Sequence, residues 1–212
     1  DNLGQLPALT AAAALLSDYI LTVAVSISSG VAQVVSAFPG LYPHRIIIAI
    51  SLVMLIMLIN LRGVKESGIT FAIPTYFFLL MMFLSITIGL VRFISGNLGM
   101  VDSPPQDVMA LHQTIVPVTV FLILKAFSSG TTALTGIEAI SDGITAFKAP
   151  RSRNAGITLI MMAAILGTMM LGITFLAHQV GALPSEEETL ISQLARTIYG
   201  NRGILYIGTI SA

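Results

Sequence analysis

Along the chain, long apolar runs alternate with short polar stretches. Residues 6–38 form the first run, closed by Pro39 and Gly40, with Pro7 in the first turn, where a helix tolerates proline. That run is long enough to cross a bilayer with considerable tilt. The second run, residues 46–61, ends in a polar loop over 62–67 that carries Arg62, Lys65 and Glu66. The third covers residues 69–94, with Pro74 as the expected kink, and a polar loop containing Pro104 and Pro105 follows it. The fourth is interrupted. Residues 115–127 are apolar apart from Lys125, residues 128–136 hold two Gly and five hydroxyl side chains, and helix-compatible sequence resumes over 137–147. A fifth run covers residues 155–177, and a sixth begins at Ile204. Between them, residues 184–200 are amphipathic. Leu190, Ile191, Leu194 and Ile198 make one stripe, and Ser185 and Glu188 have capping-box spacing, which predicts a short helix outside the membrane.

Composition turns these runs into membrane crossings. Hydrophobic residues make up 55% and charged residues 9%, and the mean hydropathy is +0.92. A soluble domain carries about 25% charged residues. A chain of this size cannot hide so much apolar surface within itself, so the bilayer is its solvent. The fold class expected is all-α, a polytopic membrane bundle, and the sixth run, cut short after Ile204, suggests an internal piece of a longer transporter. Zero net charge offers no basic face for nucleic acid, and the absence of Cys removes disulfides and thiol chemistry. His44, His112 and His178 have no ligand-spaced partner. An intramembrane enzyme would need a nucleophile or metal set that these residues do not supply. The spacing of Ala163 and Gly167 reads as helix–helix packing.

The positive-inside rule orients the crossings. Arg62 and Lys65 lie in one loop and Lys148, Arg151 and Arg153 in another, two crossings on, so the loops 62–67 and 148–154 are expected on the cytoplasmic side. The opposite loops carry Asp102, Asp107 and Glu186 to Glu188, together with Arg45, Arg92, Arg196 and Arg202.

Three sets of residues could carry chemistry. Asp18 lies 11 residues beyond Pro7, roughly 17 Å along a helix, near mid-membrane. An Asp there costs about 2.5–3.5 kcal/mol on an insertion scale. Thr22, Ser26, Ser29 and Gln33 follow at helical spacing on the same face. Such a stripe suits a helix lining an ion path. The competing reading is small hydroxyls that pack helices together, with Asp18 paired to a buried Lys such as Lys125. The second set is the interruption over 128–136, expected to be non-helical. Backbone of that kind survives at membrane depth where it lines a cavity, and its carbonyls can ligate a cation. Ser128, Gly130, Thr131 and Thr135 are the candidates there, and a glycine hinge in a continuous kinked helix is the competing reading. Third, Glu138 and Asp142 stand four apart on the resumed helix, between Lys125 and Lys148. They suit a proton relay or a structural ion pair.

The string Leu134-Thr135-Gly136-Ile137-Glu138-Ala139-Ile140-Ser141, extended by residues 125–130 and 149–155, resembles the sixth helix of the amino acid–polyamine–cation superfamily. Residues 16–26 and 60–68 extend the resemblance over nearly the whole chain, to the KimA-type branch of potassium importers and their amino acid permease relatives. It implies a LeuT-like inverted-repeat fold with five helices per repeat, of which this chain, a single transmembrane domain over 1–212, holds helices three to seven and the start of eight, the sixth being broken. It implies potassium ligands at Asp18, Thr22 and Thr131, with coupling or gating at Glu138, Asp142, Lys125 and Tyr19. Asp142 stands where that branch usually shows Asn, and Thr145 where it often shows Pro. The function implied is a cell-membrane symport, proton-coupled potassium uptake by alternating access, with amino acid uptake by the same fold as the alternative. No cofactor is expected; potassium is the cargo and the proton the coupling ion. The expected partners are the lipid bilayer and a small cation or amino acid, with a homodimer as the candidate assembly.

Overall fold

The computed structural model describes residues 4–61, 64–101, 119–130, 135–183, 185, 188–200 and 203–212. For residues 64–67, 69, 128–130, 135, 138, 142 and 146 it describes the backbone alone. The described residues form eight α-helices: α1 Gln5–Ala37, α2 Arg45–Asn60, α3 Val64–Ile94, α4 Val120–Gly130, α5 Thr135–Asp142, α6 Arg151–Val180, α7 Leu190–Tyr199 and α8 Ile204–Ser211. Short 3-10 turns, Pro39–His44 and Gly143–Ala146, join α1 to α2 and follow α5. Among the described residues, four segments are long and apolar enough to cross a membrane: α1, the unit Pro39–Asn60, the Thr70–Ile94 part of α3, and α6. The protein is a multi-pass membrane bundle.

The expected runs hold, and their ends move for physical reasons. The loop expected over 62–67 is shorter, because α3 already begins at Val64; Lys65 and Glu66 are good helix formers. Likewise α6 takes in Arg151 and Arg153, expected in a loop, as its first turn. Pro74 lies inside a continuous α3, one residue before Thr75, whose hydroxyl donates to Phe71 O at 2.7 Å. The loop with Pro104 and Pro105 lies outside the described residues. Both α3 and α6 end on a left-handed glycine. Gly96 has φ 71° and Gly181 φ 72°, and the next residue's N–H reaches five residues back, Asn97 to Arg92 O (2.8 Å) and Ala182 to Ala177 O (2.9 Å).

The core joins α3, α6 and α7 through Met82, Ile86, Met169, Leu176, Val180, Leu194 and Ile198. Glycines let α3 and α6 approach: a Cβ on Gly89 would stand 2.6 Å from Leu176 Cδ1, and one on Gly172 would stand 2.8 Å from Ile86 Cγ2. Ala163 and Gly167 were expected to make the small-residue contact. Gly167 instead has nothing within 4 Å of where a Cβ would sit, so the tight crossing lies at Gly172, further along α6.

The amphipathic helix α7 forms as expected, with Leu194 and Ile198 almost fully buried. Its start differs. Thr189 is the N-cap, accepting from Ser192 N at 3.3 Å, so the helix begins four residues later than Ser185 and Glu188 suggested. Ser185 Oγ still accepts the Glu188 N–H at 3.4 Å, one of the two bonds of a capping box. The Glu188 carboxylate accepts from Arg196 (2.9 Å) and Ser192 Oγ (3.1 Å). Buried Gln193 fixes the preceding turn. Its amide nitrogen donates to Leu183 O (2.7 Å) and Glu188 O (3.0 Å), and its oxygen accepts from Leu183 N (3.3 Å).

Candidate functional site

The polar stripe lies on α1. At 1.5 Å per residue this 33-residue helix is about 50 Å long, and Asp18 and Thr22 fall near its middle, one turn apart. Asp18 is exposed and Thr22 half-buried. Burial of Asp18 was the expectation, and the described helices do not supply it. The described residues of the first half of α1 are all exposed, and its buried residues begin at Val31. Ser26 and Ser29 are exposed as well. Asp18 and Lys125 do not form the pair proposed from the sequence. Both are exposed and α1 is not packed on α4, while the ion pair among the described residues joins Arg196 to Glu188.

The far end of the stripe is taken up structurally. Gln33 Oε1 accepts from Thr189 Oγ1 at 2.6 Å, and Ser36 Oγ accepts from Thr189 N at 3.1 Å. Ser36 follows Asp18 by 18 residues, five full turns, so it returns to the azimuth of Asp18. The polar face thus runs from Asp18 to Ser36, and the segment before α7 is tied across its end. Beside that end opens a cavity of about 900 Å3, lined by residues 36–41 with Glu188, Arg196, Tyr206 and Ile207.

The interruption is narrower than expected. Ser128, Ser129 and Gly130 close α4 as helix, and Thr135 and Gly136 already belong to α5. Serine hydroxyls fit a helix, and Gly is common where helices end. Thr131 and its neighbours, 131–134, lie outside the described residues. In the sequence these residues are flanked by the end of one helix and the start of the next. The last carbonyls of α4 and the first N–H groups of α5 have no partner within their own helices. α5 rests on α6, where a Cβ on Gly136 would meet Met162 Cε at 2.7 Å. It ends at Asp142, five residues before the expected Phe147, because Gly143 starts a 3-10 turn; Gly costs a helix about 1 kcal/mol relative to Ala. Glu138 and Asp142 keep their four-residue spacing on α5, and Tyr19 is exposed beside Asp18 on α1.

Sequence reasoning missed a second polar cluster. Tyr199 OH donates to Ser85 Oγ (3.1 Å), which lies 3.2 Å from Thr209 Oγ1, so buried hydroxyls join α7, α3 and α8. Ser192 Oγ similarly meets Tyr206 OH at 3.0 Å. Ser85 was visible as a hydroxyl within an apolar run; its partners, more than 100 residues away, were not.

The sequence model of the family described as Amino acid permease matches residues 2–207. The chain belongs to the amino acid permease family. Within it, the chain is 45% identical over 207 residues to the protein of Bacillus subtilis (strain 168) named Potassium transporter KimA. That match covers 98% of this chain and 33% of the relative, so the chain spans about a third of that protein's length. The KimA-type likeness carried by residues 16–26, 60–68 and 125–155 therefore extends across this amino acid permease chain.

Proposed function

We propose that the protein is the ion-binding part of a secondary transporter that takes up potassium with protons by alternating access. The observation that carries this reading is Asp18, a carboxylate near the middle of a 33-residue apolar helix, one turn from Thr22 and heading a polar face. Asp18, Thr22 and Thr131 are the potassium ligands in this reading. Ser128, Gly130 and Thr135 flank the break, where the free carbonyls of α4 add oxygen ligands of the kind alkali ions favour. Glu138, Asp142, Lys125 and Tyr19 serve coupling or gating. In a LeuT-like arrangement α1, α2 and α3 are helices three to five, α4 and α5 the halves of a broken sixth, α6 the seventh and α8 the start of the eighth. The chain-terminal ends of α1 and α6, gathered near α7, suit the outer side. The short connection after Asn60 and the one before Arg151 suit the cytoplasmic side, where Lys148, Arg151 and Arg153 face anionic headgroups.

The similarity to a protein named as a potassium transporter supports the cation, and the family description keeps amino acid uptake as the rival. Rubidium and a labelled amino acid mixture, offered side by side to the full-length transporter, separate the two. The proposal expects rubidium uptake that rises with an inward proton gradient and no amino acid accumulation. Amino acid uptake without rubidium uptake rejects it.

A further inference from the structure

We infer that the groove between the end of α1 and the start of α2 is a binding site for an anionic phospholipid. It is a cavity of about 420 Å3 that reaches the end of the polar face of α1 through Thr189, the partner of Gln33 and Ser36. Most of its wall is apolar, Ala32 and Val35 from α1 and Ile46 and Ala49 from α2, with the hydroxyl residues Ser28, Ser185 and Thr189 also lining it. Tyr42 and Arg45 stand at its mouth. The Arg45 guanidinium lies over the Tyr42 ring, 4.0 Å from the centroid, and its Nη1 donates to Tyr42 O at 3.4 Å. One of five guanidinium donors is thereby committed, and stacking holds the planar fork in place.

Depth fixes the solvent on each side. Arg45 opens α2, and the apolar run behind it, with Ile46, Ile47 and Ile50 exposed, belongs to the candidate span Pro39–Asn60. A Tyr and an Arg at such a boundary occupy the headgroup layer, ring and stem on the apolar side and charge toward the phosphates. Ala49 lies one turn deeper than Arg45 on the same face, about 6 Å into the hydrocarbon. Positive charge at the mouth and mostly apolar walls beneath it match one molecule with both features, a phospholipid whose phosphate meets Arg45 and whose acyl chain lies against Ala32 and Ala49. A protein helix 10–12 Å across displaces on the order of 400–600 Å3 per turn, so the groove would seat about one turn of it. A single acyl chain enters lengthwise.

The test is native mass spectrometry of the delipidated full-length transporter with phosphatidylglycerol and phosphatidylcholine at equal concentration. Wild type should hold phosphatidylglycerol preferentially. Arg45→Gln should reduce that preference by about five-fold, the effect of one basic side chain at an anionic surface, and Arg45→Lys should keep most of it. Ala49→Phe, which fills the floor, should reduce retention of both lipids. Unchanged preference in Arg45→Gln overturns the site. So does displacement of phosphatidylglycerol by inorganic phosphate alone, which would make the groove a simple anion site. An Ala49→Phe variant that alters the oligomeric state but not lipid retention would assign the groove to a second copy of the chain, and the proposal fails.

Discussion

Asp18 and Thr22 stood out in the sequence as candidates because a carboxylate inside an apolar run is costly in a bilayer, and the described helices leave Asp18 exposed. Gln33 and Ser36, on the same face, could not be sorted from them by spacing alone, since periodicity gives azimuth and no partner. Their partner, Thr189, is more than 150 residues away and serves as the N-cap of α7. Thr189→Ala removes the cap bond to Ser192 N and the 2.6 Å bond to Gln33 together. It should destabilise α7 by about 1–2 kcal/mol, read as faster amide exchange over residues 190–193. Thr189→Ser should restore most of the protection, and equal exchange in wild type and Thr189→Ala would remove the strap across the polar face.

Among the elements, the long helices were legible because apolar runs of membrane length have one stable backbone solution. The amphipathic stripe of α7 was legible too, through Leu194 and Ile198. The break between α4 and α5 was overestimated, because a polar, glycine-containing sequence such as Ser128-Ser129-Gly130 says that a helix can end without saying where. What remains helical on the far side is α5, eight residues bearing Glu138 and Asp142. Glu138 follows the break, so in the proposed transporter it acts in coupling rather than in ligation. Glu138→Gln should leave rubidium binding largely intact while slowing uptake and flattening its pH dependence. Transport unchanged at every pH would return Glu138 to a structural pair.

Across the whole molecule, one body is built from α3, α6, α7 and α8, while the first half of α1 is exposed. The close crossing at Gly172 was hidden from the sequence because Gly172 has neither Gly nor Ala four residues before or after it, whereas the spaced pair Ala163 and Gly167 pointed elsewhere on α6. Gly172→Ala drives a methyl against buried Ile86 and should cost about 1–3 kcal/mol. Gly167→Ala, with open space around it, should leave the melting temperature of the full-length protein within about a degree or two of wild type. Equal losses from both would contradict this packing. The central claim is that the carboxylate of Asp18 neutralises the transported cation. Asp18→Asn keeps the shape and a carbonyl oxygen but removes the charge, whereas Thr22→Val deletes one neutral ligand. The deciding measurement is rubidium uptake against concentration in full-length wild type, Asp18→Asn and Thr22→Val. Apparent affinity should fall by about 3 kcal/mol, on the order of a hundred-fold, in Asp18→Asn, and by about five-fold in Thr22→Val. Wild-type affinity in Asp18→Asn would contradict the potassium reading.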